Sequence, residues 1–367
     1  MDVISTLPQP ILEIILSLLT TEEAARTSIL SREWRYKWTK IPRLEFDQYD
    51  WHMPSTRKNM DLRCKNLYTI HQVLLLHQGP IHDLTLDMCE DCDCFEFDRI
   101  ILHLAKNHTV KKLALYGLND EILYDLPISI FSLHHLTDLY LSSVNLEHQP
   151  VFNGFGNLRS LVLDYARIST KSLLHLLSNC PSLQSFNLHV GGDLFDEPCT
   201  IIELFKCLPM IEHLTTHPLI FWSRLHLGVV PPELPPLLLH LKYFCFERMS
   251  FVDRYGLPFI LLLIKCSPNL EKIKLEIDDS DEDDDSDGEY SVEWEEYSNV
   301  WLEHLVELDI SCFFNLKPEM EFVKFILARS PKLKTVRIES VVDEDQESEM
   351  FRTLLRAPRA SPVVINI

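Results

Sequence analysis

Residues 158–188 read LRSLVLDYARISTKSLLHLLSNCPSLQSFNL. The stretch begins and ends on one pattern, apolar-x-x-apolar-x-apolar, as LRSLVL from Leu158 and as LQSFNL from Leu183. Alternation over the last three places predicts a short strand whose apolar side chains share one face. Between the two copies, STKSLLHLLSN reads as a helix, and Pro181 in SNCPSL stops it before the next strand. Strand, return loop and helix form one unit, and such a unit cannot bury its apolar face alone.

The pattern recurs along the chain. It appears as IHDLTL from Ile81, VKKLAL from Val110, LTDLYL from Leu136, IEHLTT from Ile211 and LKYFCF from Leu241. It continues as LEKIKL from Leu270, LVELDI from Leu305 and LKTVRI from Leu333, making ten copies at steps of 22 to 35 residues. The copy at Ile211 is weak, because Thr216 stands where the last apolar residue belongs. KCLPMI at Lys206, KCSPNL at Lys265 and RSPKL at Arg329 repeat the proline turn of SNCPSL in the same phase. Stacked repeats sharing one continuous core are the expected architecture, an α/β solenoid. The strands of an ordinary α/β fold would not share one motif.

Composition narrows the function. A formal net charge of −21 over 367 residues argues against nucleic acid, which asks for a basic face. The most apolar run, FILLLI at Phe259 to Ile264, is too short to span a bilayer, so no membrane partner is expected. MDVISTLPQP lacks the basic n-region of a signal peptide, and the ten scattered cysteines read as reduced thiols of the nucleus or cytoplasm. Cys180, Cys207 and Cys266 occupy one repeat position beside the prolines, as small buried groups do.

Catalytic and metal chemistry find little support. The chain has only 9 glycines, no phosphate-binding loop, no nucleophile elbow and no HExxH. Cys89, Cys92 and Cys94 have metal-like spacing, but no second ligand pair joins them, and they are expected in a loop. The acidic stretch 278–298 begins like a calcium loop at Asp283, yet the twelfth place is Trp294 instead of a bidentate glutamate. It reads as a solvated loop inserted between repeats. No cofactor, no metal and no enzymatic activity are expected.

The first 46 residues follow different rules. Pro8 and Pro10 mark a helix start, Thr20 with Glu23 has capping-box spacing, and Ser31 can cap a third helix carrying Trp34 and Trp38. As an α-helix the third would stack both indoles on one face. Three short helices are too small to bury this much apolar surface among themselves. Their partner is either the rest of this chain or another protein.

LPQPILEIILSLLTTEEAARTSILSREWRYKW resembles an F-box, the helical module that docks on the Skp adaptor of SCF ubiquitin ligases. The resemblance implies adaptor contacts at Leu7, Pro8, Ile11, Ile15, Leu16, Leu19, Leu30 and Trp34. Trp38 with IPRLEFD is similar to the plant version; YTIHQVLLLHQGPIHDLTL from Tyr68 resembles the opening repeat of plant F-box/leucine-rich-repeat proteins. The segment from Leu305 to ASPVVINI is similar to the FBD domain of many of them. The implied organisation is an F-box at 1–46, an irregular leucine-rich-repeat horseshoe at 47–304 and an FBD-like cap at 305–367.

The implied function is substrate recognition in an SCF ligase. The F-box would reach cullin and a RING subunit through the Skp adaptor, and the repeats would hold an unidentified protein target. The alternative is a leucine-rich-repeat scaffold or receptor acting outside a ligase. Outward strand positions, expected on the inner face of the curve, supply the target-binding candidates Tyr116, Asp138, Tyr140, Asp164, Asn187, His189, His213 and His217.

Overall fold

The computed structural model describes residues 4–46, 61–87, 94–117, 123–146, 154–190, 200–217, 237–251, 256–278, 294–297 and 299–366. The chain divides into two compact units, Met1–Ser172 and Leu173–Ile367.

The first unit opens with helices. α1 (Gln9–Leu16) starts after Pro8 with Pro10 in its first turn, and α2 (Thr21–Arg26) carries the expected Thr20/Glu23 capping box. A 3-10 turn, Thr27–Ile29, and a 3-10 helix, Trp34–Lys40, follow. The expected third α-helix is thus a 3-10 helix; Glu33 stands at its N-cap without a side-chain cap bond, and Ser31, expected to cap it, lies further back, its Oγ accepting from the Trp34 amide at 3.4 Å. At three residues per turn, residues four apart no longer share a face. Both indoles are nevertheless buried, because the 3-10 helix packs against α1, α2 and the preceding turn. Their cover is this chain's own.

Strands and helices then alternate. β1 (Arg43–Phe46), α3 (Asp61–Leu76), β2 (Asp83–Asp87), α4 (Cys94–Asn107) and β3 (Lys112–Tyr116) come first. β4 (Tyr124–Asp125), β5 (Asp138–Ser142), β6 (Val144–Asn145) and β7 (Ser160–Ala166) complete the unit. The main sheet is parallel in the order β1-β2-β3-β5-β7, with β4 and β6 as a small parallel ladder beside it. Cys94 begins a helix where a loop was expected; Cys89 and Cys92 lie outside the described residues. α5 (Thr170–Ser178) spans the division between the units.

In the second unit β8 (Ser185–Val190), α6 (Ile201–Lys206), β9 (His213–Thr216), β10 (Tyr243–Met249), α7 (Gly256–Cys266) and β11 (Lys272–Ile277) lead. β12 (Glu307–Phe313), α8 (Lys317–Arg329), β13 (Thr335–Ser340), α9 (Glu344–Arg356) and β14 (Val364–Asn366) close it. Its sheet is parallel throughout and runs β8 to β14 in sequence order. The C-terminal segment continues the same strand-and-helix rule, with α9 packed on α8 and β14 added as an edge strand. Most of the acidic stretch, residues 279–293, lies outside the described residues.

All ten motifs are strands, and their three patterned positions are each no more than 5% exposed. An eleventh copy stands at Ile41-Pro42-Arg43-Leu44-Glu45-Phe46, where the helical module runs into β1. Each proline turn closes alike, with the amides of Leu183, Ile211, Leu270 and Leu333 bonding back to the carbonyls of Cys180, Leu208, Ser267 and Ser330. Cys180 and Cys266 are buried there as expected, and burial pushes the Cys266 thiol up to about 11; Cys207 is only half-buried.

A backbone feature also recurs. Ser143, Tyr165, Arg248 and Cys312 adopt positive φ of 53, 47, 49 and 58°, each two places after the last apolar residue of its motif. A left-handed conformation costs a non-glycine residue about 1 kcal/mol or more. The kink turns the next residue, Val144, Ala166, Met249 or Phe313, into the interior, where each is 0% exposed. Burial of that extra side chain offsets the strain.

Candidate functional site

Two kinds of surface stand out. The first lies on the helical module. Leu12 and Leu16 of α1 point inward, leaving Ile11, Ile14 and Ile15 exposed on the same helix. α1 ends at Leu16, so Leu18 falls past its last turn and is 80% exposed. Ile29 and Leu30, around the 3-10 turn, are 87% and 66% exposed. A folded domain seldom displays this many large aliphatic side chains without a partner for them.

Of the eight residues expected to contact an adaptor, Pro8, Ile11, Ile15 and Leu30 are exposed, and Leu7 and Leu19 are half-buried. Leu16 and Trp34 are 1% and 6% exposed, so they build the module's interior instead of presenting themselves. Sequence reasoning missed Ile14, Leu18 and Ile29. The exposure of Leu18 depends on where α1 stops, and no proline or glycine marks that end.

The second surface is the outward face of the strands. In the first unit the registers place Asp87, Tyr116, Ser142 and Asp164 in one row across β2, β3, β5 and β7. Tyr140 sits in the neighbouring row, opposite Ala114 and Val162. The Tyr116 and Tyr140 rings approach with centroids 4.8 Å apart. The Tyr140 hydroxyl donates to Asp164 Oδ2 at 3.1 Å, and the Ser142 hydroxyl reaches the same oxygen at 3.4 Å. Burial, and then the Asp164 carboxylate, push the Tyr140 phenol well above its usual range. Burial raises Tyr116 too, followed by the fields of Asp87, Glu45 and Asp164. Three predicted residues, Tyr116, Tyr140 and Asp164, are therefore brought together. Asp138 faces the same way at the other end of β5, where Thr137 Oγ1 donates to it at 2.7 Å. Asp87 was missed, although it follows its motif just as Tyr116, Ser142 and Asp164 follow theirs.

In the second unit His189 and His217 stack with centroids 4.5 Å apart and planes 9° from parallel. Burial, then the neighbouring His189 and Arg248, lower the His217 imidazole to about 4, so it is neutral at physiological pH. Parallel rings do not aim their nitrogens at a common point, which makes this pair a poor metal cradle. His213 packs against Tyr243 at 5.9 Å, and Asn187 is half-buried one row below His189. Further along, Lys272 bonds Asp309 at 2.7 Å and Glu307 at 3.3 Å, and Arg337 pairs with the same two carboxylates. Two bases and two acids cancel there.

Residues 4–46 match the F-box domain model, and residues 97–197 match the repeats of the FBD-associated F-box protein At5g56370. Over 98% of its length the chain is 29% identical to the F-box/FBD/LRR-repeat protein At1g13570 of Arabidopsis thaliana, of which 97% is covered. It is 26% identical to the F-box/FBD/LRR-repeat protein At3g26920 of the same plant, over 98% of this chain and 94% of that one. Among solved structures, the leucine-rich repeat-containing protein LegL7 from Legionella pneumophila aligns with 75% of this chain and 90% of its own, at TM-score 0.39 and 14% identity.

Proposed function

We propose that this chain, a relative of the plant F-box/FBD/LRR-repeat proteins, is the substrate-recognition subunit of an SCF ubiquitin ligase. One observation carries the reading. The F-box buries its tryptophans and Leu16 for itself while leaving Ile11, Ile14, Ile15, Leu18, Ile29 and Leu30 outside. The Skp-type adaptor is the partner proposed for that ridge, and through it the cullin and RING subunits. The repeat face then holds a protein target in the nucleus or cytoplasm, and proximity to the charged ligase raises the rate of ubiquitin transfer. The role needs no nucleophile in this chain, which acts as a non-catalytic adaptor.

Coupling between the module and the first repeat suits such a role. Thr21 of α2 is buried, and its Oγ1 accepts from the Glu45 amide of β1 at 2.7 Å. The amides of Gln78 and Gly79 donate to the Thr39 carbonyl at 2.8 and 3.2 Å. A Cβ at Gly79 would stand 2.7 Å from the Lys40 carbonyl oxygen, so the approach needs glycine. Helices and first strand form one body, which fixes the direction in which the first strands face.

Capture by purified Skp adaptor tests the reading. Leu18→Asp with Leu30→Asp alters two side chains that support nothing inside the chain. Capture is expected to disappear with the melting temperature unchanged. Undiminished capture would refute the docking ridge. Absence of capture for the natural sequence would leave a repeat scaffold acting outside a ligase.

A further inference from the structure

The helical module carries charge of the opposite sign to the chain that bears it. In a sequence of net charge −21, residues 26–43 hold six lysines and arginines and one acid, Glu33. Three of the six bases are already engaged. Arg26 pairs with Glu22, Arg43 bonds Glu45 at 2.9 Å, and Lys37 Nζ donates to Gln9 Oε1 at 3.0 Å and lies 4.0 Å from Glu33. The module's other acids are also held inside it: Glu13 accepts from Gln9 Nε2 at 2.9 Å, and Glu23 closes the capping box with Thr20. Arg32, Arg35 and Lys40 are exposed, and no carboxylate among the described residues pairs with any of them.

Two of these free cations stand beside the most exposed aliphatic side chains. Arg32 follows Leu30 by two places in the chain. Ser28, at the centre of the 3-10 turn Thr27–Ile29, donates its Oγ to the Arg35 carbonyl at 3.1 Å, which holds the Arg35 backbone against that turn. Ile29 and Leu30, 87% and 66% exposed, therefore have both arginines as neighbours. The Arg35 guanidinium lies 5.8 Å from the ring centroid of Tyr36, itself 56% exposed. A guanidinium offers a carboxylate two parallel hydrogen bonds and is weakly hydrated, so it suits the rim of an apolar contact. An apolar ridge edged by unpaired cations is complementary to an apolar surface edged by carboxylates.

We infer that Arg32 and Arg35 steer an acidic partner onto the ridge, its carboxylates meeting the two guanidinium groups while its apolar surface covers Ile29 and Leu30. The inference rests on the reading of the ridge as the adaptor-docking surface, and adds the charge of the adaptor's rim and a kinetic role for the two arginines. Outside residues 26–43 the chain is more negative still and repels such a partner, so attraction is confined to the module. At physiological salt charges are screened beyond about 8 Å, and the arginines act on a partner already close to the ridge. They favour encounters that bring the ridge to the front and leave the other faces unvisited. Rim charges set the association rate and its salt dependence, whereas the aliphatic side chains hold the complex once it has formed.

Stopped-flow association of purified Skp adaptor with the full-length chain tests it, at low salt and at roughly 1 M, where the screening length falls to about 3 Å. Arg32→Gln with Arg35→Gln is expected to slow association by about 5- to 30-fold at low salt, to matter little at high salt, and to leave dissociation nearly unchanged. Arg32→Lys with Arg35→Lys should retain most of the rate, which separates charge from packing. Lys171→Gln, an exposed charge on α5, should change nothing. Melting temperatures are expected to stay level, because neither guanidinium pairs with an acid of the module. Association indifferent to the arginine pair at every salt concentration would overturn the inference and leave the ridge as an apolar dock alone. So would capture of the natural chain by phosphatidylserine-containing vesicles, lost in the glutamine pair, with adaptor association unaltered; the cations would then serve a lipid surface. Absence of adaptor binding by the natural chain at any salt would sink the ligase reading and this inference with it.

Discussion

The helical module and the repeats treat the same side chains in opposite ways. In the repeats, leucine, isoleucine and phenylalanine at patterned positions go inward without exception. In the module, Leu12 and Leu16 go inward while Ile14, Leu18, Ile29 and Leu30 stay in water. Burying such a side chain stabilises by about 1.5–3 kcal/mol, so a chain that leaves four of them out forgoes that contribution to its own folding. The repeats bury what the pattern supplies, and the module leaves these aliphatic side chains exposed. Exposure of a large aliphatic residue is thus informative only when its neighbours show that burial was available.

The sharpest way to break this contrast is at the bottom of a repeat. Phe246 of β10 is 0% exposed and lies against Phe244 and Phe259 at 5.8 and 5.5 Å. Phe246→Ala removes a large side chain from a packed aromatic cluster that cannot collapse around the hole. Chemical denaturation is expected to show a loss of about 3–5 kcal/mol. Adaptor capture should persist under conditions where the first unit remains folded.

A smaller effect is expected where the two regions meet. Thr21→Val keeps the shape of the side chain but leaves the Glu45 amide without its acceptor. An orphaned buried amide costs about 1–3 kcal/mol. Hydrogen exchange should report faster exchange at the Glu45 amide, and the module should melt earlier. If exchange there were unchanged, the joint would be held by packing alone.

What could be read beforehand follows from which forces leave marks in the sequence. Apolar spacing is set by burial, so all ten strands and the four proline turns were legible. The copy at Ile41–Phe46 is hard to see in the sequence because those residues are both the end of the helical module and the first repeat strand. The left-handed positions could not be read: Ser143, Tyr165, Arg248 and Cys312 share a register place and no chemical property. Their geometry is imposed by burial of the following residue. The outward face was legible strand by strand, since Tyr116, Tyr140 and Asp164 all fall at outward positions. Their assembly with Asp87 was not, because it depends on parallel register between strands far apart in sequence. Leu16 and Trp34, which the resemblance makes adaptor contacts, are buried within the module itself. A family resemblance assigns contacts, but only packing shows which side chains are left to make them.

The contrast can be sharpened from inside the repeats, at the one motif that breaks its own rule. Thr216 stands in register between Leu188 and Phe246, 5% exposed, with no hydrogen-bond partner for its Oγ1. A hydroxyl stripped of water and given nothing in return destabilises, whereas a methyl of equal size there would not. Thr216→Val is expected to stabilise the second unit by about 1 kcal/mol, visible as slower exchange of the β9 and β10 amides. The module's exposed aliphatics and Thr216 would then be two departures from one rule, one in water and one buried. A destabilising Thr216→Val would mean that the hydroxyl is satisfied after all, and the inward face of β9 would tolerate polarity in a way no other repeat strand does.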